Sequence, residues 1–134
     1  MARTARPRST RSPRPGDRGM ATVELLGWMF VVIILLTAGV QTLMWAVAAY
    51  GANLAADRAA QAARVYGASA ADGQDEAYQM LNTSVGRGLQ DATVTVTRTA
   101  TTVTVQISGH AKPLFGDLAL PVTVTVTVPV ERPT

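Results

Sequence analysis

The sequence predicts an α+β chain: a long N-terminal transmembrane helix continuing outside the membrane, a short second helix, and a small three-stranded antiparallel sheet. Three observations predict it. The run "LLGWMFVVIILLTAGVQTLMWAVAAY" follows Glu24, and no charge appears until Asp57. An alanine-rich stretch without proline, "GANLAADRAAQAARVYG", follows directly. The last third alternates valine and threonine with period two, the pattern of strands with one buried face and one wetted face. These features divide the chain into a basic leader at 1–19, a transmembrane helix at 20–50 and a small extracytoplasmic domain at 51–134.

The leader is rich in Arg, Pro, Ser and Thr and has no apolar periodicity, so it reads as disordered. Six arginines (Arg3, Arg6, Arg8, Arg11, Arg14, Arg18) stand there against Asp17, a net +5, while six basic and eight acidic residues in the remainder give −2. The pI of about 10.0 therefore belongs to the leader. No basic stripe with interleaved aromatics follows, which argues against nucleic acid as a partner.

From Leu25 to Ala49 the apolar run would extend about 37 Å as a helix, more than the ~30 Å hydrocarbon core of a bilayer. A secretory h-region is shorter, ~7–15 residues. The Ala46-Val47-Ala48 tripeptide nevertheless offers an A-x-A-like site and keeps a cleaved secretory signal open as an alternative. The arginines before the run put the N-terminus in the cytoplasm and the C-terminal part outside, a single pass through the plasma (inner) membrane.

Alanine, the best helix former, carries the helix out of the membrane to about Tyr66, where Gly67 stops it as a C-terminal cap. The alanine face suits close approach, either by another subunit's helix or by the rest of this chain. A second helix is expected in "DGQDEAYQMLNTSVGRGL", with Asp72, Asp75 and Glu76 favoured near its positive end and Tyr78, Leu81 and Val85 as its apolar stripe. The spacing of those acids does not match a calcium loop.

Three strands follow, in "ATVTVTR", "TVTVQIS" and "VTVTVTVPV". The "TRTATT" segment joins the first two as a hairpin, and Pro121 and Pro129 bracket the third, which suits an edge. The connecting loop "GHAKPLFGDLALP" is unusually apolar. The expectation is that Leu114, Phe115, Leu118 and Leu120 cover the open end of the core; left exposed, they would form a contact patch.

Catalytic patterns are absent from the sequence. There is no cysteine and a single histidine, His110, which reads as a turn residue after Gly109. No G-x-S-x-G, H-E-x-x-H or P-loop pattern occurs. Neither an enzymatic activity nor a cofactor is expected.

Glu24 is the anomaly. It could simply end the span, favour the positive end of the helix dipole, or pair with Arg18. A sharper reading uses its neighbours. Cleavage after Gly19 would remove the +5 leader, create a new α-amino group on Met20 and make Glu24 the fifth residue. An unpaired charge within a membrane costs roughly 2.5–3.5 kcal/mol on insertion scales, so Glu24 would gain by pairing with a neighbouring subunit's N-terminus.

"RGMATVE" followed by a long apolar helix resembles the class III signal of type IV pilins and pseudopilins. "NLAADRAAQAARVYG" and "GHAKPLFGDLALPVTVTVTVPV" resemble the TadE-like proteins, pseudopilins of the tight-adherence (Tad) pilus. The resemblance covers about residues 16–130. It implies processing after Gly19 by a prepilin peptidase, N-methylation of Met20, an assembly role for Glu24, and a structural part in a Tad-type pilus or related secretion apparatus. The implied partners are the peptidase, other pilins or pseudopilins, the pilus assembly platform and membrane lipid. Gly27, Trp28, Gln41 and Trp45 interrupt the span, whereas many TadE-like members have a purely aliphatic one. The competing reading is an unprocessed single-span protein that presents its sheet as an extracytoplasmic binding module.

Overall fold

The computed structural model describes residues 16–132, with side chains from Gly19 onward. Elements follow in the order α1 (Gly16–Arg64), α2 (Ala70–Leu81), a short 3₁₀ turn (Gly86–Gly88), β1 (Leu89–Arg98), β2 (Thr102–Ala111) and β3 (Leu120–Pro129). The chain forms two compact units, 1–37 and 38–134. The disorder expected of the leader falls mostly outside the described residues; its last residues, from Gly16, already belong to α1.

Helix α1 is the one helix among the described residues long and apolar enough to cross a membrane, and none of its most apolar stretch is buried. It ends at Arg64, and Gly67 follows with φ of 82°, the left-handed conformation that glycine adopts without a Cβ penalty. Arg98 caps this end by donating to the Val65 carbonyl at 3.3 Å.

Within 38–134, α1 contributes an alanine face. Ala48, Ala52, Ala55, Ala56, Ala59, Ala60 and Ala63 are fully buried, in one cluster with Val94, Val103, Val105, Ile107, Val122 and Val124 from the sheet. Of the two fates open to that face, the chain takes the intramolecular one. Because alanine lacks reach, the sheet and α2 come close to the helix backbone. The region 38–50, which hydropathy assigns to the span, also enters this unit, with Gln41 and Ala48 buried.

Helix α2 starts in a capping box. Ser69 Oγ accepts from the Asp72 backbone N–H at 3.3 Å, while the Asp72 carboxylate accepts from the Ser69 backbone N–H at 2.7 Å. The Ser69 backbone N–H and the Ser69 hydroxyl, which donates to the same carboxylate oxygen at 2.8 Å, with Arg98 adding a smaller attraction, hold the Asp72 carboxyl below the ordinary carboxylate range. The packed face of α2 is Gly73, Ala77 and Leu81; of the expected stripe Leu81 is buried, Val85 is half-buried beyond the helix and Tyr78 is exposed. The reason is proximity. A Cβ on Gly73 would stand 2.8 Å from the Ala59 carbonyl oxygen and 2.9 Å from the Ala63 Cβ, so only small residues fit where α2 meets α1.

The sheet is antiparallel in the order β1-β2-β3, as the alternating pattern implies. Its valines face the alanines and its threonines face outward. The hairpin lacks glycine but has its own chemistry: Thr99 Oγ1 accepts from the backbone N–H groups of Thr101 and Thr102. A bulge interrupts β1, where the register jumps from Gln90↔His110 to Thr93↔Ser108 and Asp91 takes φ of 51°. Gly109 lies opposite, where a Cβ would meet the Gln90 carbonyl at 2.7 Å. His110 is thus an exposed strand residue of β2 and not a turn residue. Strand β3 is an edge, and its two prolines fall within it.

Candidate functional site

The residues singled out in the sequence lie on the first turns of α1. Gly19, Met20 and Glu24 are all exposed. Met20 and Glu24 are four residues apart, so the helix stacks them on one face a turn apart. Glu24 shares one shallow surface depression with Gly19, Met20 and Val23, and a second with Gly27, Trp28 and Val31. The absent side chain at Gly27 leaves a gap beside the carboxylate. The pairing of Glu24 with Arg18 falls outside the described side chains. This face is apolar with a single carboxylate among its exposed side chains.

The same helix presents Leu25, Leu26, Met29, Phe30, Leu35 and Leu36 uncovered, each more than half exposed. In water such a surface would be strongly unfavourable, at ~25 cal/mol per Å² of apolar area. The two threonine hydroxyls in the run are satisfied within the helix. Thr37 and Thr42 donate their hydroxyls to the Ile33 and Ala38 carbonyls, both at 2.8 Å, so neither carries an unmet donor into an apolar surrounding.

Two of the residues that interrupt the aliphatic run have a structural task in the 38–134 unit. Gln41 is buried, and its Oε1 accepts from the Leu114 backbone N–H at 2.9 Å; its Nε2 has no partner. Trp45 donates its indole N–H to the Pro121 carbonyl at 3.2 Å. Together they tie the β2–β3 loop and the start of β3 to α1. The sequence marks both residues as interruptions but carries no signal for the partner of either, because those partners lie more than seventy residues away.

The loop itself departs from expectation. Leu120 is half-buried against the core, whereas Leu114, Phe115 and Leu118 are exposed, Phe115 to 69% and Leu118 to 64%. It therefore does not close the core's end. Gly116, with φ of 60°, makes the turn that presents Phe115 and Leu118. Among the described residues no group of three or more acidic, histidine or cysteine side chains could hold a metal ion. In comparisons with known proteins, no family model, no curated protein and no solved structure matches the chain.

Proposed function

We propose that the protein is a TadE-like pseudopilin: a single-span membrane subunit, cut after Gly19 by a prepilin peptidase, that serves as a structural or assembly component of a Tad-type pilus or related secretion apparatus. The observation that carries this reading is the placement of Gly19, Met20 and Glu24 on the first turns of a long helix whose apolar surface is otherwise uncovered. Such a surface needs lipid or sister helices. A carboxylate at its head favours the second, because in a low-dielectric setting it gains most from a neighbour's α-amino group. The domain supports the reading in another way. It covers its own alanine face with its own sheet, which leaves the N-terminal part of α1 as the element free to pack with other subunits.

Intact mass and N-terminal sequence of membrane-recovered protein, with and without a co-expressed prepilin peptidase, test the proposal. A start at Met20 that depends on the peptidase supports it, and Gly19→Leu should block that processing. Glu24→Ala should be processed normally yet assemble poorly. A full-length chain under both conditions would overturn the proposal and leave the anchored binding module, for which the exposed Leu114–Leu118 loop is the supporting feature.

A further inference from the structure

We infer that the β2–β3 loop is a membrane-contacting element, with Phe115 and Leu118 seated in the outer boundary of the lipid bilayer beside the end of the span. The inference rests on the reading of α1 as a membrane-spanning helix. A bilayer takes about 20 residues of helix, and counted from Leu25 that length is filled at Met44. Tryptophan concentrates at the two membrane–water interfaces, and Trp45 stands at that position. Its indole N–H is bonded to Pro121, the second residue of β3, and Gln41 one turn earlier is bonded to Leu114. The loop between those two anchors is thereby held at the depth where lipid headgroups meet acyl chains.

The surface has the chemistry of that boundary. On α1, Val40, Leu43, Met44 and Val47 are exposed within the same compact unit as the loop, and on the loop so are Phe115 and Leu118. Apolar side chains from a loop and from a helix therefore share the 38–134 unit with no protein over them. The charged groups limit the depth. Lys112 and Asp117 are both exposed, Asp117 between the two apolar residues. They suit the headgroup layer but not the hydrocarbon centre, so insertion is shallow, about 5–10 Å as for other interfacial elements. The Gln41 bond has a purpose in this setting. It satisfies a backbone N–H that would otherwise enter lipid unpaired.

The chain has no cysteine, so single cysteines can be introduced without background. Full-length Phe115→Cys, Leu118→Cys, Ile34→Cys and Thr125→Cys proteins would each carry an environment-sensitive fluorophore in phosphatidylethanolamine–phosphatidylglycerol vesicles. Quenching by aqueous iodide and by lipids spin-labelled either near the headgroup or deep in the acyl chain is then compared. The expected result at positions 115 and 118 is blue-shifted emission, severalfold weaker iodide quenching than at 125, and strong quenching by the shallow lipid label. Position 34 should respond to lipid only. If 34 responds to lipid while 115 and 118 match 125 in iodide, the loop inference fails and the span stands. If 34 is also open to iodide, the span reading fails and takes the inference with it. Protection of 115 and 118 from both quenchers would mean that protein, such as a second copy of the chain, covers the loop, and would overturn the lipid assignment.

Discussion

Gly39 and Gly51 lie on the same helix, yet replacing each by alanine should move stability in opposite directions. A Cβ at Gly39 meets nothing within 4 Å. Alanine there gains helix propensity, worth up to about 1 kcal/mol over glycine. A Cβ at Gly51 would stand 2.6 Å from the Val85 carbonyl oxygen, 3.2 Å from its carbon and 3.4 Å from the Gly86 Cα. All three are backbone atoms, so no side chain can rotate away and the 3₁₀ turn must shift. Overpacking of this kind costs about 1–3 kcal/mol, which exceeds the propensity gain. Gly51→Ala should therefore destabilise by up to about 2 kcal/mol net of the full propensity gain, while Gly39→Ala is neutral or stabilising by up to about 1 kcal/mol. Urea titration of the full chain in detergent micelles, followed by circular dichroism and by exchange of β2 amides, measures both. Because propensity is common to the two sites, the gap between the variants isolates the contact with Val85. Equal midpoints for Gly39→Ala and Gly51→Ala would refute the packing of α1 against the 3₁₀ turn.

Other outcomes follow from the same geometry. Ser69→Ala removes the N-cap acceptor of α2 and should cost about 1 kcal/mol, visible as faster amide exchange in the first turn of α2. Asp72 has its folded pKa lowered below 3.8, so its contribution is fully present above that value and is lost as the pH falls through the lowered folded pKa. Acid titration should show this loss in the wild type and not in Asp72→Asn. Ile107 is fully buried, so Ile107→Ala should cost about 2–5 kcal/mol in urea unfolding, against a change within about 0.5 kcal/mol for the exposed Thr125→Ala. Gln41→Leu should speed exchange of the Leu114 amide while leaving the β2 amides nearly as protected, because it frees one donor and also removes the unpartnered Nε2.

Local patterns carried much of this fold. The valine–threonine alternation specified three strands and which residues face the core, since side chains on a strand point alternately to its two faces. Gly67 marked the end of α1, and the Gly19–Met20–Glu24 spacing on which the proposed processing and assembly roles rest was readable with no structure at all. Placing those residues on exposed first turns adds a surface to that pattern without changing its content. Where the local rules ran short, the reason was a long-range contact. The α2 stripe was expected through Tyr78 and Leu81 because bulky apolar residues usually face a core, but only Leu81 of the two is buried, and the close approach of α1 at Gly73 leaves no room for a side chain there. The hairpin turn was weak by its residue types, and Thr99 holds it, its hydroxyl accepting twice and its backbone N–H donating to the Thr102 carbonyl.

The sequence by itself determined the membrane-length helix, the number and pairing type of the strands, the edge position of β3 and the candidate signal, because each depends on residues within one or two turns of one another. Only the tertiary structure decided what covers the alanine face, why Gln41 and Trp45 interrupt the apolar run, and that Phe115 and Leu118 stand free. Each of these depends on where residues some seventy positions apart meet, and that is set by the close approach that alanine and glycine permit between helix and sheet.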